Sequence, residues 1–130
     1  MKSKLKKGAQ WIDRTLLESP YCIGLCQSET QYKHELKRLK INYNCGEWIP
    51  DDKDANVSEF IRGNEKCYVV SIRVKKDTQH IEVIGLLIHE AVHVWQKIRD
   101  TIGEESPSPE FEAYSIQRIA QNLIDAYRLK

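Results

Sequence analysis

Between residues 79 and 99 the chain sets Ile84, Leu87, Ile88, Ala91, Val92 and Trp95 at intervals of three and four, with polar residues between them. A run of that length and period predicts an amphipathic helix, opened by Asp77 or Thr78 as N-cap. The same reasoning predicts three more helices. One spans 10–18, with Trp11, Leu16 and Leu17 inward, and is stopped by Ser19-Pro20. Another spans 28–40, where Ser28-Glu29-Thr30-Gln31 has the pattern of a capping box and Tyr32, Leu36 and Leu39 share one face. The last spans 109–127, after the loop 103–109, with Ser108 as N-cap and Pro109 at the first helical position.

The middle of the chain changes period. Over 55–61, Val57 and Ile61 fall on an alternating pattern, and 67–74 is rich in tyrosine and β-branched residues, with 62–66 between them. These segments predict a β-hairpin. The expected fold class is α+β: a small sheet or hairpin packed on the 79–99 helix, followed by a C-terminal helix. No repeat or low-complexity tract divides the chain, so 130 residues read as one domain, 1–130.

Composition narrows the classes. With 41% hydrophobic and 30% charged residues the chain reads as a soluble globular protein, neither disordered nor fibrous. A net charge of +1 selects no partner. Lys2, Lys4, Lys6 and Lys7 make residues 1–7 a flexible basic tail, and such a cluster can also meet nucleic acid or an anionic surface. The longest apolar run, 83–88, falls far short of the roughly 20 residues a membrane span needs. Polar residues after the first lysines interrupt any signal-peptide core, so the expected compartment is the cytoplasm. There Cys22, Cys26, Cys45 and Cys67 would stay reduced, and their spacing lacks the second close pair of a structural zinc site.

Chemistry concentrates at His89-Glu90-Ala91-Val92-His93, an H-E-x-x-H pattern inside the predicted helix. Imidazoles four residues apart share a helical face and can converge on one ion. Zinc with three protein ligands keeps a position for water and lowers that water's pKa to about 7, which leaves Glu90 to accept its proton. A third ligand has to come from elsewhere. His80 lies too far along the same helix, and His34 sits among lysine and glutamate on a polar face. Glu110 and Glu112 remain, both early in the last helix. Taking Ile116, Ala120, Leu123 and Tyr127 as its buried stripe, Glu112 lies about 40° from Ile116 and Glu110 about 120° away. Glu112 thus falls on the core side, where a cation would compensate its charge.

With those residues in view, the stretch from about 69 to 121 resembles the zincin metallopeptidases, and in particular the gluzincins, where an H-E-x-x-H helix is followed by a glutamate ligand on a later helix. The resemblance implies His89 and His93 as zinc ligands, Glu90 as general base, and Glu112 as third ligand, with Glu110 the alternative. Several gluzincins carry an acidic or amide residue four positions after the ligand glutamate; here that position is Ile116 or Tyr114. The resemblance further implies an edge strand at 66–74 that aligns extended substrate. Tyr68, Trp95 and Tyr114 are candidates to line the pocket, and Gln96 to orient a ligand. The chain is also similar in size to small zincin-like proteins of phages and bacteria. The expected function is zinc-dependent hydrolysis of a peptide bond in a protein or peptide substrate. The alternative is a catalytically inert, zinc-stabilised binding or regulatory module of the same fold.

Overall fold

A computed structural model of the chain describes residues 7–12, 21–40, 48–62 and 65–128. They form strands β1 (Gln10–Ile12) and β2 (Tyr21–Cys26), helix α1 (Glu29–Arg38), strands β3 (Ala55–Arg62) and β4 (Glu65–Ile72), and helices α2 (His80–Thr101) and α3 (Pro109–Arg128). The strands make one sheet in the order β1-β2-β4-β3. β2 and β4 run parallel, and the two outer pairs are antiparallel. The architecture is α+β, as expected. Among the described residues no helix is long and apolar enough to cross a membrane.

Alternation along the strands builds the layers. Tyr68, Val70 and Ile72 of β4 point to one face, where they meet Val83, Leu87, Ala91, Val94 and Ile98 of α2 and Ile119, Leu123 and Tyr127 of α3. Cys67 and Val69 point to the other, against Tyr32 and Leu36 of α1 and Phe60 of β3. The sheet therefore lies between α1 and the α2–α3 pair, and β4, covered on both faces, reads as an almost unbroken apolar run. α2 lies over β3 and β4, and α3 over β1 and β2.

Local signals account for the helix ends. The Ser28 hydroxyl accepts from the Gln31 N–H at 3.1 Å, and the Gln31 carboxamide accepts from the Gln27 N–H at 2.7 Å, one residue earlier than a capping box returns its bond. Ser108 caps α3 by accepting from the Phe111 N–H. α2 begins at His80, so its N-cap is Gln79 and not Asp77 or Thr78. The Thr78 hydroxyl instead accepts from the Lys75 N–H and closes the preceding turn, while the Glu82 carboxylate accepts from the Gln79 N–H.

Several expectations are corrected. Residues 10–12 are a strand, not the start of a helix; the remainder of the expected helix lies outside the described residues. Long-range pairing decides this: Trp11 stands opposite Gly24, whose missing Cβ lets the indole lie across it, and the indole N–H donates to Glu35 at 2.7 Å. Trp11 is consequently part-exposed instead of buried. β2 was not anticipated, although Tyr21-Cys22-Ile23 has the composition of a strand. The hairpin strands reach closer to their turn than expected and β4 ends at Ile72. Ile61 is exposed, since α2 does not extend over that end of β3. The expected edge strand at 66–74 is interior: β4 is paired on both sides, and among the described strands β1 and β3 are the edges. Lys2, Lys4, Lys6 and Cys45 lie outside the described residues.

Two buried acids make the fold sensitive to base. Burial, reinforced by Glu35, pushes the Cys26 thiol from 9.0 up to about 12, and burial pushes the Tyr68 phenol from 10.0 up to about 12. A raised folded-state pKa leaves stability intact below the unfolded value and removes it as pH rises toward the folded value. Thermal melts should therefore hold level up to about pH 9 and fall progressively between there and pH 12. A Cys26→Ala variant should keep the tyrosine component of that decline and lose the earlier thiol component. An unchanged profile would show that Cys26 ionises freely in the folded chain.

Candidate metal centre

Helical phase places the three motif residues differently. Measured around the α2 axis from Glu90, the core seam of Val83, Leu87, Ala91, Val94 and Ile98 spans about 20° to 100° on one side, while His93 and His89 lie about 60° and 100° to the other. Docking the seam on the sheet leaves both imidazoles exposed and buries Glu90 at the boundary, 6% exposed. His89, Glu90 and His93 bring one ligand atom each to within 4.8 Å of one another.

The imidazoles meet edge to face, with Nε2 atoms 3.2 Å apart. Two imidazole ligands on a tetrahedral zinc, each at about 2.0–2.1 Å, would have nitrogens about 3.3–3.4 Å apart, so the pair fits that ion with little adjustment. His93 Nδ1 lies 3.0 Å from Gln96 Oε1, a contact that favours a proton on Nδ1 and with it a free lone pair on Nε2, the nitrogen that faces His89. Glu90 Oε2 stands 3.8 Å from His89 Nε2, beside the imidazole pair without being hydrogen-bonded to it. Burial raises the Glu90 carboxyl pKa, and the charges of His89, His93 and Lys53 act against that rise.

The proposed third ligands are not in this cluster. Glu112 accepts from the Trp95 indole N–H at 2.8 Å and from Arg99 at 3.4 Å. Trp95 is about 200° around α2 from His93, on the flank that faces α3. Glu112 therefore joins the two helices, with Phe111 stacked edge-on against Trp95 beside it. Glu110 is exposed in the first turn of α3. Of the other histidines, His80 Nδ1 is hydrogen-bonded to the Tyr127 hydroxyl at 2.6 Å and closes the far end of the α2–α3 hairpin, and His34 is half-buried on α1.

The His flank of α2 faces a cavity of about 1200 Å³, bounded opposite by the turn before β3, the first residues of β3 and the turn after β4. That volume exceeds what a drug-sized molecule requires and suits several residues of an extended chain. Tyr68 and Trp95 do not line it; both are buried in the core, and Tyr114 stands exposed on α3 away from it. Residues not anticipated as site residues do line it: Lys53, Asn56, Arg73 and Gly85. Of these only Gly85 carried a local signal, as a glycine inside a helical pattern. No model of a protein family, no curated protein and no solved structure matches this chain.

Gly85 lies one turn before His89, and apart from its chain neighbours and its own helix backbone no atom of the described residues stands within 4 Å of the place a Cβ would occupy. Its φ is not positive, so neither packing nor backbone geometry calls for glycine there. Alanine is favoured over glycine in a helix interior by about 1 kcal/mol. Gly85→Ala should accordingly raise the melting temperature by a few degrees. A lowered melting temperature would reveal a contact that the open geometry excludes.

Proposed function

We propose that this chain is a zinc-dependent peptide hydrolase in which His89 and His93 hold the ion and Glu90 is the general base. The observation that carries this reading is the 3.2 Å approach of two Nε2 atoms on an exposed helical flank, beside a carboxylate that the same helix buries. Bound there, zinc would supply Lewis acidity, lowering the pKa of water and polarising a carbonyl. The chain's own residues do the rest. Gln96 holds the His93 ring and its tautomer through Nδ1. Glu90, whose burial favours the protonated form, takes the proton of the attacking water and passes it on to the leaving amine.

Substrate alignment falls in this reading to β3. Its outer edge is unpaired among the described strands, and its first residues, Ala55 to Val57, border the cavity. An extended peptide adding to that edge would gain main-chain hydrogen bonds and run past the His flank of α2. Glu110 and Glu112 remain the candidates for a third ligand in this reading, but neither reaches the His pair as the helices stand, and Glu112 is held on the α3-facing flank by Trp95 and Arg99. Its present engagement in the helix contact favours a second reading, a metal-binding module without turnover, in which Glu112 acts only as a brace.

Zinc titration of the purified chain separates these possibilities. His89→Ala and His93→Ala should each abolish stoichiometric binding, and Gln96→Ala should weaken it about 10- to 100-fold. Loss of zinc in Glu112→Ala but not in Glu110→Ala would make Glu112 the ligand, and the opposite pattern Glu110. Retention in both, with a lowered melting temperature for Glu112→Ala, would make Glu112 a brace. Glu90→Gln should keep the ion and lose cleavage of a proteome-derived peptide library by at least about 100-fold. A wild-type protein that binds zinc but cleaves nothing in that library supports the module, and one that binds no zinc ends both readings.

A further inference from the structure

The strand pairing that builds the sheet also sets two cysteines side by side. β2 and β4 run parallel in a register that places Cys22 opposite Cys67, and both pack in the apolar cluster under α1, so their side chains leave the same face of the sheet. Neighbouring strands lie about 4.7–4.9 Å apart, inside the roughly 4.4–6.8 Å between Cα atoms that a disulfide spans. Cys26 is placed differently. It is on the same face of β2, but its register partner on β4 is Ser71, and its side chain is fully buried. All three are thiols in the structure.

The two sulfurs of the pair differ in access. Cys67 is 2% exposed, whereas Cys22, near the start of β2, is only part-buried, so a small reagent reaches Cys22 first. The bond they would make is not a relaxed one. Side chains leaving neighbouring parallel strands keep about the strand spacing between their Cβ atoms, and an unstrained disulfide holds those atoms at about 3.8 Å. Closing the bond therefore draws β2 and β4 together locally. That movement meets resistance, because β4 is also paired with β3, and Lys66 and Tyr68, the residues flanking Cys67, both reach Thr101 in the last turn of α2. A disulfide made against such resistance is strained and correspondingly easy to reduce, which suits a switchable bond and not a structural one.

We infer that Cys22 and Cys67 form a reversible, hydroperoxide-reactive dithiol, with Cys22 the attacking sulfur and Cys67 the resolving one. The Cys22 thiolate attacks one oxygen of the hydroperoxide; an S–O bond forms, the O–O bond breaks, and the departing alkoxide or hydroxide takes up the thiol proton, leaving Cys22 as a sulfenic acid. The Cys67 sulfur then attacks the Cys22 sulfur. The S–S bond forms, the S–O bond breaks, and hydroxide leaves with the Cys67 proton as water. Two thiols are oxidised by two electrons in all, and one hydroperoxide is reduced to water and an alcohol, or to two waters. A small thiol such as glutathione reverses the change by exchange, becoming oxidised in turn. The pair lies on the α1 side of the sheet, so the inference does not depend on the hydrolase reading.

Exposing the full chain to a small excess of hydrogen peroxide and mapping its peptides without reduction tests this. The expected product is about 2 Da lighter than the starting chain, carries a Cys22–Cys67 cross-link, and regains both thiols in excess reduced glutathione. In Cys67→Ser the reaction should stop at a Cys22 sulfenic acid that dimedone traps. Cys22→Ser should slow peroxide consumption at least about tenfold, and Cys26→Ser should leave both the cross-link and its rate unchanged. A cross-link from Cys22 or Cys67 to any other cysteine, first oxidation at Cys26, or a bond that excess glutathione leaves intact overturns the assignment. So does a wild-type chain that peroxide leaves as thiols or carries to sulfinic acid without a disulfide. Because the wild-type cross-link is read directly, the pairing is decided even where a serine variant fails to fold.

Discussion

The structure depends on how α2 is seated. One side of this 22-residue helix carries Val83, Leu87, Ala91, Val94 and Ile98 into the space over β3 and β4, where all five are buried. Burial of an aliphatic side chain of this size stabilises a fold by roughly 1.5–3 kcal/mol each, so rotating the helix by even one residue's worth of phase would forfeit several such terms. Seating therefore sets the rotation of α2, and the rotation sets everything about the site. Glu90 falls at the rim of the buried seam, and His89 and His93 fall just beyond it. A carboxylate that is dry but reachable, next to two wet imidazoles, is the product of that phase.

Both ends of the helix are held as well as its middle. At the start, the His80–Tyr127 hydrogen bond joins α2 to the last turn of α3. Near the end, Thr101 meets Lys66 and the Tyr68 hydroxyl, which ties α2 to β4. Between them, Trp95 and Arg99 share the Glu112 carboxylate with α3. These contacts lie on the flanks facing the sheet and α3, and the His flank takes no part in them. Rigidity on one side and an unencumbered surface on the other is the arrangement a binding site requires, since ligands are positioned better on a locked element than on a loop.

The opposite wall of the cavity is built by different means. Among the described residues it has no helix to stiffen it, and the turn at 49–54 is instead organised around the Arg73 guanidinium, which donates to the Ile49, Pro50 and Lys53 carbonyls. β3 then leaves that turn as an edge among the described strands, and natural sheets ordinarily cover or blunt such an edge. Here its first residues run beside the cavity. Gly85 keeps the facing surface of α2 low at the same level. The two walls thus bring together a pair of adjacent imidazoles, a buried carboxylate and an extended backbone edge.

Local sequence determined what local physics controls. The H-E-x-x-H spacing and the apolar period were enough to place His89, Glu90 and His93 together on a helix, because both depend only on 100° per residue. Ser28, Ser108 and Pro109 marked helix ends, because capping is settled within a few residues. The hairpin was legible from alternation. Tertiary structure decided the rest. Gln10–Ile12 became a strand through pairing with β2, and β4 became interior instead of edge, because strand order is a matter of contacts distant in sequence. The helical angle of Glu112 correctly turned it inward, but which partner it met depended on where α3 crosses α2, and there Trp95 and Arg99 stand. Lys53 and Arg73 carry no motif at all. They enter the site only because the sheet brings the turn before β3 and the end of β4 up against the His flank of α2, a juxtaposition that no periodicity in the chain encodes.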